Sequence, residues 1–135
     1  AQTMDTRLSG YTILIVDDDP DILESMELAM RAEGATTAVA EDGTEAVQES
    51  ERVNPDAVIL DMMLPKRSGF LVLEELTKTD SPPVVIMVTA NEGKRHMAYA
   101  QSLGVSEYLY KPVSLDRLIN RVSTLLEERA NQTHE

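Results

Sequence analysis

The chain has 135 residues, with 24 Asp and Glu against 12 Lys and Arg, for a formal charge of −12. That length suits one domain. With no cysteine, disulfides and thiolate metal sites are excluded. A pI near 4.5 argues against nucleic acid as a direct ligand, because no basic footprint exists to displace phosphate counterions. No apolar run approaches the ~18–20 residues of a membrane span, residues 1–10 lack a signal peptide's apolar core, and the cytosol is the default compartment.

Taken in chain order, short β-branched runs alternate with helical patterns. Thr12 to Val16 (TILIV) reads as a strand buried on both faces. Asp21 to Glu33 is a helix with Ile22, Met26, Ala29 and Met30 on one stripe, stopped by Gly34. Ala35 to Ala40 is a weaker strand, and Thr44 to Arg52 a short helix opened by Asp42-Gly43. Asn54-Pro55-Asp56 breaks the chain before the third strand, Ala57 to Leu60. Gly69 to Lys78 is helical, ended by Ser81-Pro82-Pro83, and Val84 to Val88 is the most apolar strand. Glu92 to Ser102 is a poorly amphipathic helix, expected to be loosely held, and Ser106 to Tyr110 is the fifth strand. Ser114 caps a last helix, Leu115 to Ala130, with the clearest stripe: Leu115, Leu118, Ile119, Val122, Leu125 and Leu126. The ends, 1–9 and 131–135, read as frayed. Five βα units with short connections imply an α/β fold, a doubly wound parallel sheet with helices on both faces.

In such a sheet, ligands bind beyond the carboxyl ends of the strands. Strand one delivers Asp17, Asp18 and Asp19 there, strand three Asp61, strand four Thr89, and strand five Lys111 followed by Pro112. Any one of these could be a solvated tip or a helix opener. Agreement at four strand ends points to acid–metal and phosphate chemistry. Converging carboxylates need a counter-charge to stay ionised together, and a hard divalent cation such as Mg²⁺, keeping several waters, suits a shallow crevice. Asp61 could then attack phosphorus as a nucleophile, with the metal and Lys111 neutralising the transferring oxygens. The methionines Met26, Met62, Met63 and Met87 read as core filling. His96 and His134, the only histidines, lie in no ligand cluster.

From about Tyr11 to Leu126 the residues resemble the receiver domain of two-component response regulators. The pieces that carry the resemblance are ILIVDDDPDI at 13–22, EDGTEAV at 41–47, PDAVILDMMLPKRSGF at 55–70, VTAN at 88–91 and YLYKP at 108–112. The resemblance implies a flavodoxin-like (βα)5 sheet in strand order 2-1-3-4-5. The receiver would occupy 11–130, between an N-terminal tail at 1–10 and a C-terminal tail at 131–135. It implies Asp61 as phospho-acceptor and a Mg²⁺ site of Asp18, Asp61, the Met63 backbone carbonyl and, mostly through a metal-bound water, Asp17. Lys111 and Thr89 would bind the phosphoryl oxygens, Thr89 and Tyr108 would form the switch, and the Lys111–Pro112 bond would be cis. Met63 and Asn91 would border the approach of a hydrolytic water; neither supplies a base, so the phosphoryl group should be long-lived. Asp19 has no metal role in the family and reads as a charge on the following helix's dipole.

The function so implied is a switch. Asp61 takes phosphate from a histidine kinase's phosphohistidine, and the face of helix 4, strand 5 and helix 5 changes for a partner. The implied partners are a sensor histidine kinase or histidine phosphotransfer protein, an output protein the sequence does not specify and, under phosphorylation, a second copy of the chain. Turnover of an external substrate is not expected. A dehalogenase-type phosphatase would need an acid two residues after Asp61, where Met63 stands, and a nucleotide- or flavin-binding domain would need a Gly-rich loop after strand one. The output could belong to a stand-alone receiver that works by docking. It could equally belong to a larger DNA-binding regulator of which this is the receiver, although Arg117 stands where winged-helix regulators carry an acid.

Overall fold

The computed structural model describes residues 6–90 and 93–133. Its elements run β1 (Thr12–Val16), α1 (Pro20–Ala32), β2 (Thr36–Ala40), α2 (Gly43–Val53), β3 (Ala57–Leu60), α3 (Gly69–Thr77), β4 (Val84–Thr89), α4 (Lys94–Ser102), β5 (Glu107–Tyr110) and α5 (Leu115–Thr133). The five strands are all parallel, in the order β2-β1-β3-β4-β5. Because the order reverses at β1, a crevice opens between the carboxyl ends of β1 and β3.

Side chains alternate across the sheet and feed two cores. On one face Ile13, Ile15, Ile59, Ile86 and Val88 pack under α1 and α5, through Met26, Met30, Leu118 and Val122. On the other, Leu14, Val16, Val58, Leu60, Val85 and Met87 pack under Ala46 of α2, Val72, Leu73 and Leu76 of α3 and Ala100 of α4. Strands covered on both faces have no polar side to show, which is why they read as continuous apolar runs.

Boundaries differ from the sequence reading for local reasons. Ala35 is not in β2; its N–H bonds the Met30 carbonyl and closes the end of α1. Ser106 precedes β5, yet its N–H bonds Val85 O at 2.8 Å and its hydroxyl accepts from Val85 N–H at 3.0 Å. Thr89 extends β4 by one residue and is fully buried. The helix expected from Glu92 begins at Lys94, and Glu92 lies outside the described residues.

The tails also need correction. Within residues 6–10 the chain is tied down at Arg7 and Leu8, not frayed, while Thr6, Ser9 and Gly10 are exposed. Leu8 is fully buried in the α1–α5 core, its N–H bonds Glu33 O at 2.9 Å, and the Arg7 guanidinium grips the Glu33 carboxylate at 3.1 and 3.2 Å while donating to Asn120 of α5. At the other end, α5 continues past Ala130 to Thr133.

The helices differ in how they start. Asp19, Asp42, Ser68 and Ser114 each accept a backbone N–H from the first turn of α1, α2, α3 and α5. At α4 the capping residue is Gly93, with no side-chain cap, and the first turn carries Lys94 and Arg95 in place of an acid. Cations at the positive end of the helix dipole weaken that turn, and Ala100 is the one buried residue of α4. Its outer side is steadied by Tyr99, whose ring meets Phe70 of α3 edge-on at 5.0 Å.

Candidate functional site

Backbone hydrogen bonds that prolong the sheet by one step place the polar residues. Asp17 N–H bonds Ala40 O at 3.2 Å, Asp61 N–H bonds Val16 O at 3.1 Å, and Lys111 N–H bonds Thr89 O at 2.8 Å. Their side chains therefore leave the sheet from one edge. Asp17 and Asp61 are almost wholly buried, while Asp18 faces solvent. One carboxylate oxygen from each of Asp17, Asp18 and Asp61 lies within 4.8 Å of the other two.

The Lys111 ammonium crosses from β5 and donates to Asp17 Oδ2 at 3.0 Å and Asp61 Oδ2 at 3.2 Å. The remaining oxygens are used as well. Asp17 Oδ1 accepts the Asp19 N–H at 2.9 Å, and Asp61 Oδ1 accepts the Met63 N–H at 3.1 Å. Burial pushes the Asp61 carboxyl above the usual carboxylate range; the Met63 N–H and Lys111 pull it back, and Asp17 adds to the rise. Burial alone would lower the Lys111 ammonium, but its bond to Asp17 and the charges of Asp61 and Asp17 outweigh that and raise it. Lys111 is thus a fixed cation beside a carboxylate short of counter-charge.

Since the folded chain holds the Asp61 proton more tightly than the unfolded chain, the stability from that proton is present below the ordinary value of 3.8. It is lost as pH rises through the folded value. In EDTA, Asp61→Asn lacks this penalty, so its melting temperature should gain on the parent's as pH rises from the ordinary value of 3.8 through the folded value. Thermal melts across that range check this; a gap that stays constant or shrinks would contradict it.

The structure brings together Asp17, Asp18, Asp61 and Lys111, with Thr89 buried at the end of β4. The Lys111–Pro112 bond is cis. Met63 contributes its N–H to Asp61, and the residue is 65% exposed. Tyr108 is half-buried against the core that α2, α3 and α4 cover, and its hydroxyl donates to Met62 Sδ at 3.7 Å. Asn91 lies outside the described residues. Asp19 proves to be the N-cap of α1, accepting the Asp21 N–H at 2.9 Å.

Sequence reasoning passed over two residues. Gly69 lets α3 start against the acceptor loop: a Cβ there would stand 2.5 Å from Asp61 O and 2.7 Å from Met62 Cα. Its only sequence signal was Ser68-Gly69 at a helix start. Met62 gave no signal beyond an apolar residue after the acid.

A five-stranded parallel sheet in the order 2-1-3-4-5, with helices on both faces and an acid trio and a lysine at its carboxyl edge, defines the flavodoxin-like class. A family model described as response regulator receiver domain matches residues 13–123, and the chain belongs to that family. It is 35% identical over 126 residues to the transcriptional regulatory protein PrrA of Mycobacterium leprae, covering 93% of this chain and 54% of that protein. The DNA-binding response regulator MtrA of Mycolicibacterium smegmatis is 34% identical over 123 residues, covering 91% and 54%. The chain thus spans about half the length of the curated relatives it matches. Among solved structures, a CheY-like response regulator receiver domain protein from Methanospirillum hungatei superposes with a TM-score of 0.87 at 28% identity, covering 93% of this chain and 98% of that one. Among the described residues, no helix is long and apolar enough to cross a membrane.

Proposed function

We propose that this receiver domain works as a phosphorylation switch in the cytosol, accepting a phosphoryl group on Asp61 from the phosphohistidine of a sensor kinase or histidine phosphotransfer protein. The observation that carries this is the pairing of Lys111 Nζ with Asp61 Oδ2 at 3.2 Å inside a trio of carboxylates. Asp61 forms the new O–P bond, the P–N bond to imidazole breaks, and the departing nitrogen takes up a proton. Lys111 gives up one carboxylate to pair with a phosphoryl oxygen, and the Thr89 hydroxyl binds another.

Oxygen donors this close, two of them buried, fit a hard divalent cation. Asp17, Asp18 and Asp61, with the Met63 carbonyl, would hold Mg²⁺, which when bound supplies charge neutralisation for the carboxylates and the transferring oxygens. The poorly anchored α4 supports the choice of the α4–β5–α5 side as the face that changes. Met63, exposed and apolar beside the acceptor, cannot orient a hydrolytic water, which supports slow loss of the phosphoryl group. That the relatives are named as transcriptional and DNA-binding regulators favours a second reading of the output, in which this receiver governs a DNA-binding unit.

Incubated with acetyl phosphate and Mg²⁺, the parent should gain the mass of one phosphoryl group and Asp61→Asn none. Equal labelling of both would overturn the assignment.

A further inference from the structure

Tyr108 sits on β5 opposite Met87 of β4, and Leu60 of β3 is opposite Met87 on the other side. Met62, two residues past Leu60, therefore has to reach over β4 to touch Tyr108. Alternation along β4 puts Thr89 on the same sheet face as Met87 and Val85, so this bridge forms on the face from which the Thr89 side chain leaves. Met62 is pinned for the task. It is 3% exposed, its carbonyl accepts the Gly69 N–H at 2.9 Å, and Gly69 approaches its backbone too closely to admit a Cβ. The ring of Tyr108 lies with Met62 at its hydroxyl and the Tyr110 ring edge-on at 5.6 Å.

We infer that Met62 is a positioning residue that holds Tyr108 folded onto the sheet before any phosphate arrives, so that phosphorylation has only Thr89 and α4 left to move. This rests on the proposed role of Asp61 as acceptor, and it makes Tyr108 the held part of the switch that the resemblance to receiver domains implies. A thioether can turn its soft sulfur to a hydroxyl and still fill an apolar gap. Burial also pushes the Tyr108 phenol up, so its O–H stays a donor throughout the neutral range. Leucine in place of Met62 would keep the apolar volume and lose the acceptor. Losing one weak neutral hydrogen bond corresponds to an about two- to five-fold shift in the population of folded-in rings.

The test labels the whole chain with 3-fluorotyrosine and follows the ¹⁹F signal of Tyr108, identified by its loss in Tyr108→Phe. In the parent, a small solvent-isotope shift should mark a sheltered ring, and Mg²⁺ with beryllofluoride should move the signal little. In Met62→Leu the signal should shift toward the exposed value by that two- to five-fold population change, and beryllofluoride should draw it back. Met26→Leu, which removes a sulfur from the opposite core, should behave as the parent. A parent ring with the isotope shift of an exposed tyrosine overturns the inference without any variant, and so does a Met62→Leu signal equal to the parent's. Acetyl phosphate labelling of the same samples separates the two readings. A labelled Met62→Leu with an unmoved ring defeats the role of Met62 alone, and an unlabelled parent defeats the acceptor.

Discussion

Lys111→Met should weaken the metal-free chain by about 1–3 kcal/mol, and Mg²⁺ should restore most of that loss. Among the described residues, the lysine is the one cation seated between Asp17 and Asp61, whose side chains are 4% and 9% exposed. Removing it leaves two carboxylates facing each other with little water to screen them. Breaking a fully buried pair costs about 3–5 kcal/mol; the smaller figure applies because the Lys111 side chain is itself 24% exposed, so the ion pair is only partly buried. For a chain of this size the melting temperature in EDTA should fall by about 5–10 °C. A divalent ion supplies the charge the lysine gave, so the variant should gain more from Mg²⁺ than the parent, an ion at a hundred times its dissociation constant adding about 2.7 kcal/mol. Paired thermal melts, with EDTA and with Mg²⁺, measure this. A variant that melts with the parent in EDTA, or gains no more from Mg²⁺, would contradict the role given to Lys111.

Gly69→Ala should lower both stability and phosphorylation. Alanine is worth up to about 1 kcal/mol over glycine within a helix, and at the first residue of α3 less of that applies. Against it stands a Cβ placed 2.5 Å from one backbone atom and 2.7 Å from another, neither able to swing aside as a side-chain tip could. Overpacking of this kind costs about 1–3 kcal/mol or more, so the steric term wins. The strain falls on Asp61 and Met62 themselves, and the segment from the acceptor to α3 has to move. Denaturant unfolding should show the loss, and acetyl phosphate labelling should slow even at a denaturant-free temperature where the variant is folded. An alanine variant as stable and as reactive as the parent would show that the loop yields freely.

How much of this was legible depends on the range of the interactions. The buried strands announced themselves because both faces are covered and every residue from Ile13 to Val16 or Ala57 to Leu60 must be apolar. The acids and Lys111 were legible because a parallel sheet sends the residue after each strand to one edge. Leu8 was not. A single leucine between Arg7 and Ser9 has no period, and its burial depends on Glu33 and α5, far along the chain. The bridge from Met62 to Tyr108 was hidden for the same reason, since it spans 46 residues and a strand lying between. Gly69 was read as the start of a helix, and its closeness to the Asp61 carbonyl appears only once α3 has docked. Helix ends were missed by one to three residues where a cap or a final turn, not the apolar pattern, sets the boundary.

The acceptor itself is tested most directly by finding where the phosphoryl group lands. After treatment with acetyl phosphate and Mg²⁺, borohydride reduces an acyl phosphate on aspartate to homoserine, which peptide mass mapping locates. Homoserine at position 61, and aspartate unchanged at Asp17, Asp18 and Asp19, is the expected result. Homoserine at any of those three with Asp61 intact, or at none of the four, would contradict the account.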